Sequence, residues 1–181
     1  FHLSLQSGCD KTLKRMNRHY TAEDVEQAVK KIRKVFSNNC GISIDVITGF
    51  PGETEKEFDE SLTFVRNMAF SQAHVFPYSR RENTRAASMS QQLSNAEKEK
   101  RAHQMIAACT QTQQDFRKRF LKKCIPVLFE RQADTGEWEG FSPQYFPVRV
   151  ISNQNLHGQI KNVWITEVDK AACLGHLEHS L

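Results

Sequence analysis

Ile42-Ser43-Ile44-Asp45-Val46-Ile47-Thr48-Gly49-Phe50-Pro51-Gly52-Glu53-Thr54-Glu55-Lys56-Glu57 is the stretch on which the fold turns. Between Gly41 and Gly49 it sets β-branched residues among polar ones, which predicts a strand over 42–47 with one strongly apolar face. Thr54 is followed three residues later by Glu57, a capping box, and Phe58, Leu62, Val65 and Met68 or Ala69 then fall on one helical stripe. A strand, a Gly-Phe-Pro-Gly turn and a helix follow one another without a spacer.

The same unit recurs on both sides. Upstream, Thr21-Ala22-Glu23-Asp24 is a second capping box, and Val25, Ala28, Val29, Ile32, Val35 and Phe36 recur at helical spacing before Asn38-Asn39; Phe1 to Gln6 reads as a strand ahead of that helix. Downstream, Phe70 to Pro77 reads as a strand, and Ser94-Asn95-Ala96-Glu97 caps a third helix carrying Met105, Ile106, Cys109, Phe116 and Phe120. The order β-α-β-α-β-α implies parallel strands joined by crossover helices. Three parallel strands cannot close a barrel, and parallel sheets are normally covered on both faces. The expectation is therefore half of an α/β barrel or open sheet, in a chain that reads as a fragment because it opens mid-strand at Phe1 with no initiator Met.

Beyond about Lys122 the texture changes to short β-rich runs, Ile125 to Arg131, Glu137 to Phe141, Tyr145 to Ile151, Gly158 to Val168 and Cys173 to Leu177, separated by Asp-Thr-Gly, Ser-Pro and Asn-Gln-Asn turns. A small antiparallel barrel of the OB size class is expected there. The chain is accordingly divided into an α/β part, 1–121, and a β-barrel, 122–181.

Of the 181 residues 39% are hydrophobic and 25% charged, and no apolar run approaches the ~20 residues of a membrane span. The first residues lack the charged and apolar regions of a secretory signal. The five cysteines, Cys9, Cys40, Cys109, Cys124 and Cys173, form no metal-binding spacing, and such scattered thiols suit a reducing cytoplasm. A net charge of +4 is clustered at Lys11, Lys14, Arg15 and Arg18, at Arg80, Arg81 and Arg85, and at Arg117 to Lys123. Such clusters suit phosphate backbones, or simply make solvated helix faces.

In α/β barrels the working residues sit at the C-terminal ends of the strands. The first such loop, Leu5-Gln6-Ser7-Gly8-Cys9-Asp10-Lys11, combines short hydrogen-bonding side chains, a glycine and cations. In the second, Gly49 and Gly52 allow close backbone approach to a ligand, and the helix N-terminus at Thr54 offers free N–H groups; a Gly-Phe-Pro-Gly turn is equally a sharp βα connection. The third, Phe76-Pro77-Tyr78-Ser79-Arg80-Arg81, is an aromatic strand end followed by a basic loop. His2, His19 and His74 read as site groups or hydrogen-bonded structural residues, and Trp138, Tyr145, Phe146 and Trp164 as base-stacking or core aromatics.

Gln6-Ser7-Gly8-Cys9-Asp10 with Leu13-Lys14-Arg15-Met16-Asn17-Arg18, then Asp45 through Thr54, then Val75-Phe76-Pro77-Tyr78-Ser79 with Thr84-Arg85-Ala86-Ala87, resemble in order and spacing the radical S-adenosylmethionine (radical SAM) methylthiotransferases, in their C-terminal half. The wording from Phe1 through Thr21 is most similar to enzymes that methylthiolate N6-threonylcarbamoyladenosine in tRNA; related enzymes act on isopentenyladenosine or a ribosomal protein. Residues 122–181, with Gly136-Glu137-Trp138-Glu139-Gly140 and Tyr145-Phe146-Pro147-Val148-Arg149-Val150, resemble the family's RNA-binding TRAM domain.

The resemblance implies reductive cleavage of S-adenosylmethionine, two [4Fe–4S] clusters, and a tRNA anticodon stem-loop as partner. It implies cofactor contacts from Gln6, Ser7, Arg18, Gly49 and Phe76, and from Glu53 unless that residue serves its own helix instead. The family's CxxxCxxC ligands and auxiliary cysteines are absent from this sequence, so they are expected in a missing N-terminal half, and this chain alone is not expected to catalyse. No metal ligand and no catalytic residue is assigned. A non-catalytic RNA-binding module and a phosphate-binding β/α barrel enzyme stand as alternatives.

Overall fold

The computed structural model describes residues 1–178. The chain divides between Gln113 and Gln114 into two compact units; the texture of the sequence changes at 121/122.

In the first unit, β1 (His2–Gln6), β2 (Ser43–Thr48) and β3 (Gln72–Pro77) form a parallel sheet in the order β1-β2-β3. The connecting helices α2 (Ala22–Phe36) and α3 (Glu55–Met68) begin where their capping boxes place them. Thr21 Oγ1 accepts from the Asp24 N–H and Thr54 Oγ1 from the Glu57 N–H, while each acid accepts the N–H of its threonine. One face of the sheet, Leu5, Ile44 and Val46, is buried against Val29 of α2, against Phe58, Leu62 and Val65 of α3, and against Met105 and Cys109 of α5 (Asn95–Lys118). Full burial of such side chains contributes roughly 1.5–3 kcal/mol each.

Two short helices lie in the loops, α1 (Asp10–Arg15) and α4 (Arg85–Ser88). Neither is long enough to show a periodic apolar stripe, which is why the sequence pattern passes over them. The other face of the sheet carries His2, Asp45, His74 and Phe76 and is open to solvent or partly so, with His2 Nε2 3.2 Å from Asp45 Oδ2.

The second unit is a five-stranded barrel of β4 (Cys124–Gln132), β5 (Glu137–Phe141), β6 (Pro147–Ile151), β7 (Ile160–Val168) and β8 (Cys173–Leu177), closed in the order β4-β5-β6-β8-β7. Strands β4, β5 and β6 pair as successive hairpins and β7 returns beside β4, which is a Greek key. One pair corrects the expected antiparallel pattern. β8 lies parallel to β6 while antiparallel to β7, because the chain enters β8 directly from β7 and then meets β6 running the same way.

The barrel core is Val127, Phe129, Trp138, Val148, Val150, Leu156, Val163 and Ile165, together with Phe116 and Phe120, which precede β4. Gly140 has no room for a side chain, since a Cβ there would overlap the Leu128 carbonyl and come within 2.9 Å of Phe129 Cα. Strands β4 and β5 cross closely at that point, which tightens the closure.

Candidate functional site

The sheet brings three loops to one edge, the C-terminal ends of β1, β2 and β3. In the first, Gln6 turns the chain with a positive φ of 64° and is buried, and Ser7 is fully enclosed. The loop is fastened from within: the Cys9 N–H donates to Ser7 Oγ at 3.2 Å and the Gly8 N–H to Ser61 Oγ at 2.8 Å. Burial pushes the Cys9 thiol above its ordinary pKa, and burial pushes Cys109 up to about 11 and, in the barrel, Cys173 to about 12. These three thiols are held protonated and are poor metal ligands as they stand.

The second loop runs from Thr48 to Thr54. Gly49 has φ +71°, and its N–H donates to Glu53 Oε2 at 2.8 Å. The same oxygen accepts from Arg101 Nη1 at 2.8 Å, and that guanidinium also donates to the Glu53 carbonyl. Its other nitrogen, Nη2, reaches Glu97 at 2.6 Å and Glu55 at 3.3 Å. Burial pushes the Glu53 carboxyl upward, opposed by the Arg101 and Gly49 hydrogen bonds. A Cβ on Gly49 would lie 2.5 Å from Lys98 Cγ, so the missing side chain makes room for α5. Nearby, Arg15 grips both oxygens of Glu57 at 3.1 and 2.6 Å and holds that carboxyl below its usual range.

The third loop continues the sheet, because the Tyr78 N–H donates to the Thr48 carbonyl at 2.8 Å. The Tyr78 ring meets Phe50 edge-on at 5.3 Å, and Lys98 Nζ lies 5.7 Å from its centroid. Thr48 Oγ1 and the Tyr78 hydroxyl are both buried without a hydrogen-bond partner among the described residues. Unmet buried hydroxyls are costly, and these two lie together at the strand-end edge of the sheet, Thr48 on the same face of β2 as Ile44 and Val46.

Gln6 and Ser7 thus sit side by side, and Gly49 is bonded to Glu53. Arg18 is exposed beyond the end of α1, and Phe76 is half exposed on the open face of the sheet. Sequence reasoning missed Arg101, Lys98, Thr48 and Tyr78. A signal existed for the first two: Lys98 and Arg101 fall on the same α5 stripe as buried Ala102, Met105 and Cys109, where a charge needs a partner.

Among the described residues no group of three or more His, Cys, Asp and Glu side chains gathers to hold a metal ion, so the residues present do not fit an iron–sulfur cluster. Among the same residues no helix is long and apolar enough to cross a membrane.

The family model of the Radical SAM superfamily matches residues 1–65. That region contains the first two of the three strand-end loops. The chain is 33% identical over 168 residues, 91% of its length, to the threonylcarbamoyladenosine tRNA methylthiotransferase MtaB of Bacillus subtilis (strain 168). It is 42% identical over 178 residues, 97% of its length, to the tRNA-2-methylthio-N(6)-dimethylallyladenosine synthase of Clostridium novyi (strain NT). Residues 1–65 thus match the Radical SAM superfamily, and over nearly its whole length the chain is similar to tRNA-methylthiolating members of that superfamily. It spans only 37% and 39% of the lengths of these two relatives.

Proposed function

We propose that this chain is part of an enzyme that installs a methylthio group on an already modified adenosine of tRNA, with N6-threonylcarbamoyladenosine next to the anticodon as substrate. The observation that carries the reading is the pair of unmet buried hydroxyls, Thr48 Oγ1 and Tyr78 OH, at the sheet edge of a chain whose relatives include a threonylcarbamoyladenosine tRNA methylthiotransferase and a tRNA-2-methylthio-N(6)-dimethylallyladenosine synthase. S-adenosylmethionine, together with two [4Fe–4S] clusters held by residues other than those of this chain, would supply the radical chemistry when bound.

The chain's own residues bind and orient. Thr48 and Tyr78 offer hydrogen bonds to the cofactor's polar atoms, Gln6 and Ser7 form the adjoining wall, and Arg18 pairs with its carboxylate. Phe76 lies beside the adenine, while Arg101 and Glu53 keep the Gly49 backbone in place. The barrel, of TRAM type, binds the tRNA anticodon stem-loop. The enzyme works in the cytoplasm, with the rest of the same protein as its partner.

A second reading, isopentenyladenosine-type tRNA as substrate, is favoured by the 42% identity to a dimethylallyladenosine synthase. Expressing the full-length gene in a strain lacking its own methylthiotransferases, then analysing tRNA nucleosides by mass spectrometry, decides between them. The 2-methylthio form of threonylcarbamoyladenosine supports the leading reading, that of isopentenyladenosine the second, and neither overturns both. In the same protein, Thr48→Val and Tyr78→Phe are expected to weaken S-adenosylmethionine binding in equilibrium dialysis; unchanged affinity in both removes these hydroxyls from the site.

A further inference from the structure

The aromatic residues of the barrel divide in a way the sequence does not reveal. Trp138 and Phe146 are buried in the core, whereas Tyr145 is 71% exposed. Its ring stacks on Phe141, with centroids 5.1 Å apart and planes 19° from parallel. Tyr145 closes the turn between β5 and β6: its N–H donates to the Ser142 carbonyl at 2.9 Å, and the Ser142 N–H to the Phe146 carbonyl at 3.1 Å. The turn places Tyr145 at φ +66°, a conformation that suits glycine or asparagine and strains a bulky side chain.

Nothing in the turn's hydrogen bonding needs a tyrosine, since only its backbone takes part. Strain kept at an exposed aromatic points to use of the ring itself. The surroundings say for what. In register across the outer face lie Pro147, Phe141, Leu128 and Ile160, an apolar row over four strands. One pleat along, Glu139 is held between Arg131 at 2.6 Å and Arg149 at 2.9 Å, which fixes two guanidiniums beside the row with a net positive charge.

Flat ring faces flanked by cations are the means by which proteins bind single-stranded nucleic acid, with bases stacked on aromatics and phosphates near arginine. In small five-stranded Greek-key barrels the face of the second and third strands serves this purpose, and here those strands are β5 and β6. We infer that the Phe141–Tyr145 pair is a stacking platform for an unpaired RNA base, with Arg131 and Arg149 beside it for the adjoining phosphates. This rests on the reading of the chain as part of a tRNA-modifying protein.

The test is titration of the full-length protein into a fluorescent RNA hairpin with a single-stranded loop carrying 2-aminopurine. Tyr145→Gly is expected to keep or raise the thermal midpoint, because the strain is relieved, while binding falls about tenfold and the 2-aminopurine quench disappears. Tyr145→Phe retains affinity, and Phe141→Leu loses it. If the wild-type protein binds the hairpin and Tyr145→Gly binds equally well, the platform is overturned while RNA binding stands. If Tyr145→Gly lowers the midpoint and Tyr145→Phe binds no better than it, the ring is structural and the inference also falls. A wild-type protein that does not bind the hairpin at all overturns the tRNA reading on which the inference rests.

Discussion

Arg101 closes on Glu53 twice, donating to the side-chain carboxylate and to the main-chain carbonyl, each at 2.8 Å. Both side chains are almost wholly buried. The pair fixes the loop that carries Gly49, and it joins the third helix of the sequence pattern to a strand end nearly fifty residues earlier. A contact of this kind stabilises little while intact and costs much when broken, since the remaining charge has no water to turn to.

Arg101→Met is therefore expected to destabilise the first unit by about 3–5 kcal/mol, read as a fall in the urea midpoint. Adding Glu53→Gln should restore part of that loss, because it removes the stranded charge. In Arg101→Met alone the raised Glu53 carboxyl is free to rise further. Its contribution is then fully present below the unfolded carboxylate pKa and is lost as pH climbs through the folded value, so the variant is expected to be most stable in mild acid. A variant whose stability increases from mild acid to neutral pH would contradict this assignment.

Glu57 has the opposite sign. Arg15 holds its folded pKa down, so the pair contributes above the ordinary carboxylate range and is lost as pH falls through the depressed value. Arg15→Ala should cost about 2 kcal/mol at neutral pH and much less in acid. Thermal midpoints measured along a pH series provide the check, and a constant difference between variant and parent would rule the pairing out.

Gly49→Ala meets two obstacles, a positive φ worth about 1 kcal/mol or more and a collision with Lys98. Combining it with Lys98→Ala should relieve the closest part of the second cost, the 2.5 Å approach to Cγ, and leave the first. A double-mutant cycle in chemical denaturation therefore shows a coupling between these positions, and strict additivity would mean that α5 does not occupy the glycine's space.

The start of the barrel can be tested by truncation. Phe116 and Phe120 are only 2% and 3% exposed and belong to the barrel core. A fragment beginning at Gln114 is expected to melt cooperatively, whereas one beginning at Lys122 loses two core rings, each worth about 3–5 kcal/mol, and should not fold. Equal midpoints by circular dichroism would place the boundary at the change of sequence texture instead.

Local patterns made most of the architecture legible. Thr21 with Asp24 and Thr54 with Glu57 announced two helix starts, and the β-branched run of β2 announced its buried face. What remained hidden depends on partners distant in sequence or on single backbone angles. The parallel β6–β8 pair is a non-local register that no window of sequence contains. Tyr145 and Phe146 are neighbours with similar side chains, yet the turn sends one outward and the other into the core. At the candidate site, Gly49 and Glu53 stand out in their loop, but Arg101 lies forty-eight residues beyond Glu53, and only the fold shows that it reaches that carboxylate.

The Greek-key order of the barrel also sets a timetable. β4, β5 and β6 are linked by tight turns and can zip together locally, but closure requires β7 to find β4, pairing Cys124 with Trp164 across most of the unit. That distant search is the slow step expected of non-local β pairing. Until it ends, the newly made hairpins present unpaired edges, so a nascent chain is most exposed to aggregation after β6 has emerged and before β7 has arrived.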